Sequence, residues 1–221
     1  MPRIDEQLGL GIAVVIGALL ILWYVGGNEL MRRRSHRLAI WTRRVLDPLG
    51  GTQSIRWLSG QAFRLEVEDA KEPFKALLAT GLVESWDTPM IWAWNRWHGR
   101  RDLVMLQVTL RKQPLWGLEV YRPGTLLAGD SRHHANQEGW TETPLEDLRV
   151  ACGGDAPRRL ATELIGLLNQ ERPRLLRLAV RRQGHHLTLA INVPDPNGFE
   201  PQAASKLAQR LAERVLRSPY H

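Results

Sequence analysis

The first pattern along the chain is an absence of polar residues. From Leu8 to Val25 it reads LGLGIAVVIGALLILWYV, with no charge and no proline. About 18 to 20 helical residues cover roughly 27 to 30 Å, the thickness of a bilayer's hydrocarbon core. A helix also satisfies its own backbone hydrogen bonds, as lipid demands. Residues 8–27 are therefore predicted to form a transmembrane helix, with residues 1–7 a short exterior N-terminus. Trp23 and Tyr24 fall at one end, where amphipathic aromatics favour the membrane interface. A cleaved signal peptide would begin with positive charge and end in a small-x-small site. Here Asp5 and Glu6 outweigh Arg3, and Asn28, Glu29 and Met31 follow the run, so an uncleaved anchor is expected.

The pattern then becomes amphipathic. Over residues 28–52, a basic juxtamembrane helix and linker, Met31, Leu38, Trp41, Thr42 and Val45 fall on one side of a helical wheel. Arg33, Arg37 and Arg44 cluster opposite. Two readings fit: a helix lying in the membrane interface, or an extension of the spanning helix whose charges set topology. Asp47-Pro48-Leu49-Gly50-Gly51 ends any helix there.

Beyond the linker the period changes to two. Phe63, Leu65 and Val67 alternate with Arg64, Glu66 and Glu68, the mark of a half-buried strand. Residues 53–122 are expected to form a β-rich subdomain. Residues 74–84 read as a strand, and residues 102–111 and 115–122 as a hairpin joined through Pro114. Residues 123–143 lack a clear period and are expected to be a loop. Residues 144–221 read as a β-α-β-β-α unit. Leu160, Leu164, Leu167 and Leu168 stripe its first helix; Ala204, Leu207, Ala208, Leu211 and Val215 stripe its second. Between them, Leu175–Arg181 and His185–Val193 form a hairpin about Gln183-Gly184. The predicted class is α+β: one N-terminal transmembrane helix followed by a cytoplasmic antiparallel-sheet domain with that C-terminal unit.

Charge supplies the direction. One basic residue, Arg3, precedes the apolar run, whereas Arg32, Arg33, Arg34, Arg37, Arg43 and Arg44 follow it. The positive-inside rule places the N-terminus outside and the C-terminal domain in the cytoplasm of a single-pass cell-membrane protein. The net charge of +7 argues for little else. Residues 51–221 hold 23 basic and 19 acidic groups, a mild +4, so no nucleic-acid partner is expected. Cys152 is the only cysteine, which rules out an intrachain disulfide.

The most unusual composition lies at residues 86–101. Trp86, Trp92, Trp94 and Trp97 stand among Arg96, His98, Arg100 and Arg101, and a short helix from Thr88-Pro89 would align Met90, Trp94 and Trp97. Tryptophan and arginine dominate protein-binding hot spots and also suit a membrane interface; plain coverage of a sheet edge is the third reading. Partner binding is assigned to Trp86, Trp92, Trp94, Arg96, Trp97, Arg100 and Arg101. The membrane interface is assigned to Trp23, Tyr24, Arg32, Arg33, Arg34, Arg37, Trp41, Arg43 and Arg44. The pairs His133-His134 and His185-His186 lack metal-ligand spacing, since adjacent side chains of a strand point oppositely. Neither a metal nor a cofactor is implied. Cys152 precedes Gly153-Gly154 without a histidine fixed beside it, and neither GxxxxGK[ST], GxSxG nor GxGxxG occurs.

These features predict a membrane-anchored, non-catalytic scaffold or adaptor. Its expected partners are the lipid bilayer and a protein partner or second copy. The alternatives are a membrane-associated enzyme built around Cys152, His185 and residues 130–134, and a lipid-surface sensor. Convergence of those side chains in one pocket would favour the enzyme.

Overall fold

The structure, a computed structural model, describes residues 4–86, 88–97, 101–170, 174–193 and 199–217. Both the apolar run and the arginine-rich segment belong to one unbroken helix, α1 (Ile4–Leu46, 43 residues). Nothing between Val25 and Arg44 interrupts it, because no proline occurs there. It is the one helix among the described residues long and apolar enough to cross a membrane, and none of its most apolar window is buried in protein. A 3-10 turn (Asp47–Leu49) ends it, followed by Gly50 and Gly51 at φ of 71° and 88°. These left-handed angles suit glycine, and a Cβ on Gly51 would run into the Glu68 carbonyl.

Among the described residues the rest is one nine-stranded sheet with four helices, an α+β fold. In chain order its elements are β1 (Thr52–Trp57), β2 (Ala62–Glu68), β3 (Phe74–Leu82), α2 (Pro89–Trp97), β4 (Leu103–Leu110) and β5 (Leu118–Tyr121). Then come α3 (Ala128–Gln137), β6 (Thr141–Leu145), β7 (Leu148–Cys152), α4 (Asp155–Gln170), β8 (Arg174–Val180), β9 (Leu187–Asn192) and α5 (Pro201–Leu216). The spatial order is β1-β2-β3-β4-β9-β8-β5-β7-β6, and every pairing is antiparallel.

A single register row shows how the core is built. Ile55, Leu65, Ala79, Leu106, Leu189, Leu178, Val120, Val150 and Thr143 lie side by side across the sheet. Direct neighbours share a face, and all but the two edge residues are buried. The second half of α1, α5 and α4 cover this face. On the other face α3 lies over β5, which is why all four β5 residues are buried.

Three expectations are corrected. β4 and β5 do not form a hairpin: the β8–β9 hairpin lies between them, with β4 bonded to β9 and β5 to β8. The same pairing joins residues 53–122 and 144–221 in one sheet. Residues 123–143 are not a loop but hold α3 and part of β6. The elements β7-α4-β8-β9-α5 follow one another in the expected chain order, with β5 standing between β7 and β8 in the sheet.

Candidate membrane-surface site

The long helix meets the sheet domain at two levels. The upper level is a tryptophan cluster. Trp23 of α1 stacks on Trp86 with ring centroids 6.1 Å apart and meets Trp92 of α2 edge-on at 5.7 Å. Trp86 and Trp92 are 5.0 Å apart. The Trp23 indole N–H donates to the Trp86 carbonyl at 3.0 Å. Gly27, one turn along α1, permits this approach: a Cβ there would stand 2.8 Å from that same carbonyl oxygen. Trp23 is thus tied to the segment that rises from the β3–β4 end of the sheet.

That segment contains α2, none of whose residues is buried. Its first-turn proline follows the expected start at Thr88-Pro89. Trp92 turns inward to the cluster, while Met90 is 84% and Trp97 90% exposed. Ile91 and Trp94 are also exposed, as is Arg96, whose carbonyl accepts from the Arg101 guanidinium at 3.3 Å.

The lower level is polar. Arg34 of α1 pairs with the buried Asp102 at 3.2 Å, and Asp102 also accepts the backbone N–H of Glu84 at 3.0 Å. The Glu84 carboxylate is buried beside them, and neither oxygen has a hydrogen-bond partner among the described residues. Burial pushes its pKa up; the charges of Arg101, Arg96 and Arg34 oppose this, and Asp102 reinforces it. On the sheet's edge side, Trp57 of β1 packs on His36 of α1 with centroids 4.6 Å apart.

The residues assigned to a membrane interface therefore separate. Tyr24, Arg32, Arg33, Arg37, Arg43 and Arg44 are exposed, and Arg33 pairs with Glu29 at 2.7 Å. Trp41 is corrected: it is buried, and its indole N–H donates to the Phe199 carbonyl at 2.7 Å. The whole stripe of Met31, Leu38, Trp41, Thr42 and Val45 faces protein, because α5 and the sheet cover it. Of the residues assigned to partner binding, Trp86 and Trp92 pack mainly on Trp23, whereas Trp94, Arg96 and Trp97 face out. Arg101 is half-buried, and Arg100, with His98, lies outside the described residues.

The side chains that an enzyme reading needed do not meet. Cys152 lies on the core face, its thiol donating to the Gly154 carbonyl at 3.3 Å. Its register row runs through Leu118 and Val180 to Leu187, so three strand spacings, roughly 14 Å, separate it from the strand that His185 precedes. His133 and His134 lie on α3, over the opposite face. His133 contacts Gln137 at 3.0 Å and His134 packs on Trp140. Burial and then the Arg181 charge push the His134 pKa down. His186 is buried, accepts the Leu110 N–H at 3.0 Å, and is pushed down by burial. Among the described residues no three His, Cys, Asp or Glu side chains form a metal cage.

One polar cluster left no signal in the linear pattern. Glu119, fully buried on β5, accepts Arg177 at 3.2 Å, Arg181 at 2.7 Å and the Ser131 hydroxyl at 2.9 Å. Asp130 of α3 reaches Arg177 at 2.6 Å. Burial alone would raise the Asp130 pKa, but the Arg177 and Arg181 contacts outweigh it and hold it low. Every member has a partner, so the cluster pins α3 to the sheet. No family model and no curated protein matches this chain.

Proposed function

We propose that this chain is a single-pass membrane protein whose sheet domain acts as a non-catalytic scaffold or adaptor for a protein partner at the cytoplasmic surface. One observation carries the reading. The helix that offers an apolar surface on every side through its first half becomes, without a break, part of the domain's hydrophobic core. A flexible linker would let the domain wander. A continuous helix locked at Trp23 and Arg34 holds it at one height and one rotation over the bilayer. Presenting a surface in a set orientation is what an adaptor requires. The arginine excess after the apolar run supports the cytoplasmic side.

The scattered positions of Cys152, His185 and His134 favour this reading over the enzyme proposed from the same residues. Two measurements test it. A reporter active only in the cytoplasm, fused after His221, should be active; activity of an exterior-only reporter would overturn the orientation. Crosslinking in native membranes should capture a discrete neighbour. If the captured proteins merely follow membrane abundance, the adaptor reading fails.

A further inference from the structure

We infer that α2 is a second membrane element, an interfacial helix whose Met90, Ile91, Trp94 and Trp97 side chains enter the headgroup–acyl boundary of the leaflet from which α1 emerges. The inference rests on the proposed span. Its starting point is position. Trp92 of α2 packs at 5.7 Å on Trp23, two residues from the end of the apolar run. Nine residues of helix are about 13 Å long, so all of α2 stays near that boundary. The α1 residues beside Trp23 are open: Leu22 is 69%, Tyr24 57% and Val25 61% exposed. α2 thus docks beside an exposed apolar stretch of α1 and carries exposed apolar residues of its own, Met90, Ile91, Trp94 and Trp97.

Orientation and residue type agree with position. At 100° per residue, Met90, Trp94 and Trp97 form one stripe, and Trp92, facing α1, lies on the opposite side. Arg96 flanks Trp92, where a guanidinium meets headgroup phosphate. Tryptophan sits favourably at this depth because its ring is apolar and its N–H polar. A nine-residue helix with no buried residue draws little stability from its own domain. Lipid supplies the missing contact, and a protein covering the same face is the competing occupant.

The test uses the full chain, reconstituted in vesicles of phosphatidylcholine and phosphatidylglycerol. Cys152→Ala provides the background for single labels introduced by Ile16→Cys, Met90→Cys, Trp97→Cys and Lys112→Cys. Each spin label is read for collision with oxygen, which partitions into lipid, and with a water-soluble nickel chelate. Ile16 marks the span, and Lys112 the far end of β4, roughly 25 Å from its start. The expected result is a high oxygen-to-nickel ratio at 16 and, several-fold above position 112, at 90 and 97. A lipid-like 16 with water-like 90 and 97 overturns the inference and leaves the span standing. Positions 90 and 97 shielded from both reagents overturn it in favour of a protein contact. A water-like 16 overturns the span and the inference together.

Discussion

The two halves of α1 have the same backbone and opposite surroundings. Residues 9–30 are apolar on nearly every side, and almost all are exposed. Residues 31–46 carry six arginines and yet bury Leu38 and Leu46 completely. More hydrophobic sequence thus has less protein around it. A helix that is apolar all round cannot be covered by a domain on one flank; in the proposed span, lipid surrounds it. An amphipathic helix needs one covered face, and the sheet with α5 provides it. Trp23 and Gly27 mark the changeover, where the α2 segment first touches the helix.

The largest effect should come from charging the first half. Val15→Arg with Leu19→Arg adds about 3 kcal/mol of insertion cost at each position. The double variant should be released by alkaline extraction while its far-ultraviolet circular dichroism stays that of a folded domain. Retention equal to the unaltered chain would break the contrast at its first half. The converse change, Leu38→Ala, should lower unfolding stability in mild detergent by about 2–5 kcal/mol, leaving membrane retention unaltered. A negligible loss would mean that the second half is not core.

Glu84 sharpens the joint between helix and sheet. An acid whose pKa rises on folding weakens the fold as pH climbs through the interval between its unfolded and folded values. Glu84→Gln should therefore stabilise the domain by about 1–2 kcal/mol near neutral pH. The gain should vanish as pH falls below the ordinary glutamate range, where both states hold the proton. An advantage constant with pH would show that the carboxyl does not titrate there. The smallest effect is expected from Trp23→Phe, which keeps the ring and deletes the bond to the Trp86 carbonyl, worth about 0.5–1.5 kcal/mol. Hydrogen exchange in α2 should quicken while protection in β3 and β4 stays constant; equal quickening throughout would mean that the contact holds the whole sheet.

Much was legible from local pattern. The unbroken apolar run, the alternation in β2, the leucine stripes of α4 and α5, the turn at Gln183-Gly184 and the start of α2 all depend on neighbours within a few residues. Periodicity reports such relations directly. The density of tryptophan also pointed to residues 86–97, although not to which rings turn inward.

What tertiary structure alone decided are the relations between distant residues. Periodicity shows that Met31, Leu38 and Trp41 share an apolar face, but lipid and protein cover such a face equally well. Only the folded sheet and α5 settle it. Strand neighbours are chosen by registers across the chain, so β8 and β9 enter between β4 and β5 against the simplest local pairing. The segment AGDSRHHANQ has too few apolar residues to signal a helix; Asp130 holds α3 through Arg177 of β8, far away in sequence, and Ser131 through the buried Glu119 of β5. Burial and long-range ion pairing are properties of the assembled fold, and no short window of sequence contains both partners.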